Sequence, residues 1–432
     1  MKRILLLLTI PIALSISARE WTLDECIDYA IENNLTIKAQ EISLMEAEQQ
    51  LTAAKDAVLP QVSGQVSNSW NFGRGLTSSN TYANSNTMNF GANIGLQLPL
   101  FNGLQTIRQI DYAKASLTAI VETVEATKDD VTLRIIAQYL QTLYCRELES
   151  VALSQLNITE EELERRKALL EAGKIPEADM LDAGSQVAQA RLQWVTAQND
   201  TRLALLDLSQ LLRLPASEDF AIANLNGEQL PTLREPNAVY EAALSNNHTI
   251  NANRLQIHAA ERNIKVAQTG WIPRLSFNAG LGTNYYKISN FDNNRFKDQM
   301  RENFSQYVGF SLSVPIFDGF STRNNVRRAE LQRLNANLNL ETQMDNLYKA
   351  INESYFQAVG ARERLTAAIE ATTAAEAALA AVREKYNLGR ATATDFDNAK
   401  EQLLQSQSER ARALYELLLR ARILDFYAEG RK

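Results

Sequence analysis

Histidine and cysteine are nearly missing from this sequence; the 432 residues hold two of each. His248 and His258 stand ten positions apart on a predicted helix and do not share a ligand face, and His248 matches Leu35 in the other half of the chain, so both read as ordinary helix positions. No Ser/His/Asp set or phosphate loop is present. Gly280-Leu281-Gly282 lacks the third glycine and the following helix that a dinucleotide loop requires. These gaps argue against an enzyme, and no cofactor or metal is expected. Cys26 and Cys145 fall on separate predicted helices, and the sequence is compatible with paired or free thiols. Asp24-Glu25 stand before Cys26 where a lipid-attachment cysteine has small residues, so no lipid anchor is expected.

Glycine and proline are absent over long distances. Leu104 to Ala172 holds neither, and from Phe320 to Leu388 only Gly360 interrupts. Each stretch reads as one helix; at 1.5 Å per residue the first would be about 100 Å long, wider than any single-domain core. Long apolar runs are missing too. Beyond the N-terminus none reaches the roughly 18 residues of a transmembrane helix, so an entry into a membrane would be made by strands. The N-terminus itself reads Lys2-Arg3, apolar from Ile4 to Leu14, then Ser15-Ile16-Ser17-Ala18, the pattern of a cleaved export signal over residues 1–18. Without Lys2 and Arg3 the net charge moves from −7 to −9, with 42 basic against 51 acidic residues. That balance argues against nucleic acid as a partner.

What is present is a duplicated sentence of sequence. Leu98-Pro99-Leu100-Phe101-Asn102-Gly103 closes one alternating run and opens one long helix; Val314-Pro315-Ile316-Phe317-Asp318-Gly319 does the same 216 positions later. At each motif the apolar period changes from two to about three and a half, so a strand hands over to a helix. Gly173 and Gly389 are also 216 apart, whereas upstream pairs such as Leu59-Pro60 and Ile272-Pro273 are 213 apart. A loop between the two strands of each half absorbs the difference. The expected organisation is a first repeat over 19–215 (strand pair about 60–98, helical hairpin 103–214), a linker at 216–235, and a second repeat over 236–432 (strand pair about 272–314, helical hairpin 319–428).

The strands alternate almost completely. Val62, Gly64, Val66, Trp70 and Phe72 oppose Gln61, Ser63, Gln65, Ser67, Ser69 and Asn71; Met88, Phe90, Ala92, Ile94, Leu96 and Leu98 oppose Asn89, Gly91, Asn93, Gly95 and Gln97. In the second half Leu275, Phe277, Ala279, Leu281 and Tyr285 oppose Arg274, Ser276, Asn278, Gly280 and Asn284, and Val308, Phe310, Leu312 and Val314 oppose Gly309, Ser311 and Ser313. About eleven tilted residues span roughly 25 Å, the apolar band of an outer-membrane barrel. Trp271, Phe101 and Phe317 fall at the helix-side ends and Trp70, Phe72, Tyr285 and Tyr286 at the far ends, as two aromatic girdles would. A half-buried soluble hairpin also alternates, but four matched strands with girdles and an export signal favour the membrane. Four strands cannot enclose water, and lipid forbids open edges, so several copies must share one barrel. Gly73 to Thr87 and Lys287 to Glu302 are polar and suit exterior loops.

Around the strands, Thr22-Leu23-Asp24-Glu25 opens a short capped helix ending near Asn33-Asn34, with its counterpart at Pro236 to Asn247. Second helices are expected from about Thr36 to Ala57 and Thr249 to Thr269. Along the long helices Ile107, Ile110, Ala113, Leu117, Ile120 and Val124 recur at steps of three and four, a coiled-coil-like spacing; Ala367 to Ala381 would let helices approach closely. Gly173 and Gly389 stop the long helices as left-handed residues, and new helices start from Pro176-Glu177 and Thr394-Asp395, with Pro176 in a first turn.

The duplicated strand-to-helix motif and the paired glycine turns resemble the TolC-like outer-membrane efflux proteins, over essentially the whole mature chain. The resemblance implies a mainly α fold with a membrane β-barrel portion: a homotrimer whose twelve-stranded β-barrel is continued by an α-helical barrel through the periplasm. It implies an export duct of a tripartite efflux or secretion system in the outer membrane of a Gram-negative bacterium, with a periplasmic adaptor (membrane fusion) protein, an inner-membrane pump and outer-membrane lipid as partners. Matched residue by residue, the periplasmic gate would include Asp179, Tyr386, Arg390 and Asp395, and the adaptor-contact tips Gly173, Lys174, Ile175, Gly389 and Arg390. Asp395 falls on an aspartate that rings the closed entrance; Asp179 and Tyr386 fall on positions that tie hairpins shut. A second aspartate ring would fall at Asn398, and the lock arginine at Ala391 with Arg390 beside it. Asp179 and Asp395 also suit helix first turns, where the dipole favours anions by roughly 0.3 to 1 kcal/mol. A non-conducting tether or adhesin is the competing reading. The polar strand faces favour the duct.

Overall fold

The structure is a computed structural model describing residues 20–76, 80–215, 220–225, 230–289 and 291–431; the expected export signal lies outside the described residues, as do parts of the expected linker. In chain order the elements are β1 (Glu20–Trp21), α1 (Leu23–Asn33), α2 (Leu35–Asp56), β2 (Gln61–Asn71), β3 (Arg74–Leu76), β4 (Tyr82–Asn84), β5 (Thr87–Phe101), α3 (Gln105–Glu171), α4 (Glu177–Leu211), β6 (Ala221–Ile222), α5 (Pro236–Asn246), α6 (His248–Gln268), β7 (Arg274–Ile288), α7 (Phe296–Glu302), β8 (Ser305–Ser313), α8 (Ser321–Asn387) and α9 (Ala393–Glu429). The duplication is visible in their lengths. α1 and α5 have 11 residues each, and α3 and α8 have 67 each.

The chain forms two compact units. One comprises Ile42–Glu122 and Ala252–Glu341 and holds an antiparallel sheet of order β2-β5-β7-β8. Its register runs from Gln61 opposite Gln97, through Leu98 opposite Phe277, to Arg274 opposite Ser313. Since side chains alternate across a sheet, this register puts Val66 beside Ala92 and Phe277 beside Phe310, with rings 5.4 Å apart, on one face. Gln65 and Asn93 share the other face, as do Gln97 and Asn278. Several residues depart from the clean division, Gln306 opposite Leu281 and Tyr286 opposite Asn89 among them. Asn68 stands on the apolar face opposite Phe90, and Tyr307 lies on the polar face over Gly280, where a Cβ would come within 2.5 Å of its ring. β2 and β8 are the edges, and neither has a second neighbour in the sheet.

The two motifs end their strands differently. β5 runs through Leu98-Pro99-Leu100-Phe101, with a register shift between Pro99 and Phe101. β8 stops at Ser313, where its pairing with β7 ends at Arg274, the first residue of β7; among the described residues Val314 to Phe317 have no strand partner. Both motifs then turn through two successive left-handed residues, Gly103 and Leu104 (φ +68° and +66°) and Gly319 and Phe320 (φ +63° and +64°). Gly103 has no room for a side chain, since a Cβ would lie 2.8 Å from that of Ile272. The Asn102 and Asp318 side chains accept from the backbone N–H groups of Thr106 and Thr322 (3.4 and 2.7 Å), covering donors that the helix starts leave open. The polar segments expected as plain loops carry structure. β3 pairs with β4, and α7 forms because Phe296 packs on Phe90 and Tyr285 (ring centroids 5.6 and 5.1 Å).

The other unit comprises the chain up to Glu41, Thr123–Asn251 and Thr342–Lys432. α1 starts with the expected capping box of Thr22 and Glu25 and turns Leu23, Cys26 and Ala30 into a core with Ile135, Tyr139, Leu143, Leu208, Leu212 and Ile222. The Tyr139 hydroxyl donates to the Ala223 carbonyl at 2.7 Å, with the Trp21 carbonyl at 3.1 Å, which ties the short parallel pair β1 and β6 to α3. Both cysteines are free thiols, and burial pushes Cys26 up to about 12. α8 contains an 18-residue window of mean hydropathy 1.3. In the Leu365 to Val382 stretch half the residues are alanine, with Glu370 and Glu376 among the rest, so no continuous apolar run underlies the average.

Candidate functional site

The helical turns at Gly173 and Gly389 share one backbone design. Both glycines are left-handed (φ +68° and +73°). Gly173 N–H donates to the Leu170 carbonyl and Lys174 N–H to that of Leu169; Gly389 N–H donates to Tyr386 and Arg390 N–H to Lys385. This 5→2 and 6→1 pair closes a helix C-terminus while satisfying its last carbonyls. The next helices start slightly differently from expectation. Pro176 is the cap of α4 rather than a first-turn residue, because its ψ of 155° is extended. α9 starts at Ala393 with Thr392 as its cap, ahead of the expected Thr394, because Asp395 reaches back. Its carboxylate accepts from Thr392 N–H at 2.9 Å while Thr392 Oγ1 accepts from Asp395 N–H at 3.2 Å. The Thr392 hydroxyl and N–H hold the exposed Asp395 carboxyl below its usual range, so it is charged at neutral pH.

Behind these turns lies a cluster that joins the α3/α4 hairpin to the α8/α9 hairpin. Arg166 on α3 has a side chain 2 % exposed and Glu162, one turn earlier, is 8 % exposed. Arg166 Nε donates to Glu162 Oε1 at 2.9 Å, and the Tyr386 hydroxyl donates to the same oxygen at 2.9 Å. Arg166 Nη1 donates to the Asp179 carbonyl at 3.2 Å, and its guanidinium lies 3.8 Å from the carboxylates of Asp182 and Asp397. Gln186 on α4 donates to Asp397 on α9 at 2.8 Å, and Lys400 donates to both Gln186 and Asp397. The Tyr386 ring stacks on Phe396 with centroids 5.5 Å apart and lies 4.1 Å beneath the Arg165 guanidinium. Arg383 pairs with Glu161 at 2.8 Å at the cluster's edge. Burial opposes the Arg166 charge, but Glu162, Tyr386 and Asp397 outweigh it and raise its pKa; burial and the Glu162 hydrogen bond both push the Tyr386 phenol up.

Of the residues expected at the site, Tyr386 and Asp179 meet around Arg166, the first through Glu162 and the second through its backbone carbonyl, with its carboxylate exposed. Asp395, Gly173, Lys174, Gly389 and Arg390 are exposed at the turns and Ile175 is half-buried; none contributes a side-chain bond to the cluster among the described contacts. Asn398 is exposed, and its half-buried neighbour Asp397 supplies the carboxylate. Sequence reasoning missed Glu162, Arg165, Arg166, Asp397 and Lys400. The one available signal was the i, i+4 pair Glu162/Arg166, a spacing that usually marks a solvated helix face. Among the described residues no group of His, Cys, Asp and Glu could hold a metal ion.

The fold has counterparts in known proteins. The chain is 24 % identical over 401 residues to the outer membrane efflux protein BepC of Brucella suis, covering 92 % of this chain and 83 % of that one. It is 24 % identical to the outer membrane protein TolC of Vibrio cholerae, over 97 % of this chain and 93 % of its relative. Among solved structures, CusC aligns with a TM-score of 0.76 at 16 % identity over 95 % of this chain and 92 % of that chain. VceC of Vibrio cholerae aligns at 0.73 and 17 % over 94 % of each. The family profile for outer membrane efflux proteins matches residues 26–212 and 239–427, one segment in each repeat. The chain therefore belongs to the outer membrane efflux protein family, channel proteins of the Gram-negative outer membrane.

Proposed function

We propose that three copies of this chain form one passive export duct, each giving four strands to a twelve-stranded barrel and two helical hairpins to a periplasmic tunnel. The observation that carries this reading is the open sheet. β2 and β8 leave unpaired backbone groups along strands whose one face is apolar, an arrangement that lipid excludes unless the sheet closes. The polar opposite face suits a water-filled lumen. The secretion protein AprF of Pseudomonas aeruginosa, among the relatives, supports a place in a tripartite system, with the turns at Gly173 and Gly389 meeting a periplasmic adaptor and the pump reached through it. The buried Arg166 cluster would hold the two hairpins of a chain together at the closed entrance, and three Asp395 carboxylates near one axis would make that entrance attract cations.

Planar-bilayer recording tests this. The detergent-extracted oligomer, with a mass near three chains, is expected to be cation-selective and poorly conducting; Asp395→Ala is expected to lower selectivity and Tyr386→Phe to raise conductance. A stable folded monomer sinks the barrel, and an oligomer that conducts nothing favours the tether. Unchanged selectivity and conductance in both variants would leave Asp395 and Tyr386 as residues of helix starts and packing.

A further inference from the structure

The duplication that built the chain also fixes how one copy meets the next. Within a copy the two hairpins of strands superpose without slip. Moving Gln61 on by 213 positions gives Arg274 and moving Gln97 on by 216 gives Ser313; Gln61 pairs with Gln97, and Arg274 with Ser313. The seam between the halves, β5 against β7, pairs Gly95 with Gly280, Ala92 with Thr283 and Leu98 with Phe277. In a closed barrel of identical copies, the seam between β8 of one copy and β2 of the next is the same seam shifted by one repeat.

We infer that β8 pairs antiparallel with β2 of a second copy of this chain in the register Ser311 opposite Ser67, with Val314 opposite Gly64, Leu312 opposite Val66, and Val308 opposite Trp70. Three independent features agree with it. The two strands are the free edges of the sheet and run in opposite directions. The register brings apolar residues onto one face and Gln65, Ser67, Ser311 and Ser313 onto the other, which a slip by one residue would destroy. It also gives a partner to Val314 to Phe317, which lie outside β8 in the single chain although their counterparts Leu98 to Phe101 belong to β5. Ile316 is 95 % exposed and Phe317 74 % exposed in the lone chain. Asn68, an amide on the apolar face of β2, then sits between Phe90 of its own copy and Phe310 of the next.

The inference rests on the shared barrel, and disulfide trapping in the full-length protein separates the two. Ser67→Cys with Ser311→Cys is expected to give a covalent ladder ending at three chains on non-reducing gels. Within one copy the two positions are three strand spacings apart, at least about 14 Å, and are further displaced along the strands, far beyond disulfide reach. Ser67→Cys with Gly309→Cys or with Ser313→Cys, each displaced by two residues, is expected to cross-link on the order of tenfold less. Single-cysteine variants measure the background from Cys26 and Cys145. If the oligomer forms but trapping is strongest for a displaced pair, the register is wrong and the barrel stands; if no oligomer forms, the barrel itself has failed.

Discussion

The two helical turns of this chain, at Gly173 and at Gly389, have the same backbone hydrogen bonds and opposite side chains. Counting 216 positions along, Glu162 and Arg166 become Ala378 and Val382, while Tyr386 and Asp397 go back to Leu170 and Leu181. One hairpin supplies the buried cation and its carboxylate; the other supplies the phenol, the stacked Phe396 and a second carboxylate. The same clamp therefore cannot be rebuilt with the roles exchanged. Duplication preserved the geometry that glycine and backbone fix, and the halves then diverged where side chains meet. Some strand positions kept their character, and Leu96 and its equivalent Leu312 both lie on the apolar face.

The strongest challenge to that contrast is Arg166→Met, which leaves Glu162 buried without its guanidinium and is expected to cost about 3–5 kcal/mol of local stability. Hydrogen exchange at the ends of α3 and α8 would register it. The double variant Glu162→Gln with Arg166→Met is expected to recover much of the loss, and Val382→Ala at the equivalent place to cost about 1 kcal/mol; equal losses at the two sites would erase the asymmetry. At the strands the halves are expected to behave alike. Leu96→Arg and Leu312→Arg should each cost about 2–4 kcal/mol near the bilayer midplane, read as lost heat-resistant oligomer, whereas Asn278→Arg on the polar face should be mild.

Helix starts give a smaller difference. Thr392→Ala removes the α9 cap and is expected to cost about 1 kcal/mol, while Pro176→Ala, at the equivalent residue with no side-chain cap, should change stability by no more than about 0.5 kcal/mol. Exchange rates at the first amides of the two helices would separate them. The smallest effect is that of alkaline pH. The folded Tyr386 pKa is raised above the ordinary 10.0, so its contribution is complete below that value and disappears as pH rises through the folded one. Loosening above pH about 10 is expected to vanish in Tyr386→Phe, which itself starts from a weaker clamp.

Much of the fold was legible because it depends on local chemistry. The missing glycines and prolines marked α3 and α8, alternation sorted the strand faces, and Gly173 and Gly389 took the left-handed conformation that ends a helix. Local signals were ambiguous at Thr392 and Thr394, two hydroxyls that both suit a cap; the reach of Asp395 decided between them. The α7 helix was hidden because Phe296 finds its partners on β5 and β7. The clamp was hidden for the same reason at longer range. Glu162 and Tyr386 are 224 positions apart, and nothing in the surroundings of either marks it as buried.

The overhang after β8 bears on the life of the protein before it reaches its final place. In a copy that has not joined the proposed barrel, Ile316 would be 95 % and Phe317 74 % exposed, beside an edge strand with free backbone groups, a combination that invites aggregation. Such a copy would be a natural client for periplasmic chaperones and proteases, so the amount that accumulates would follow how fast copies find one another rather than how stable each is alone.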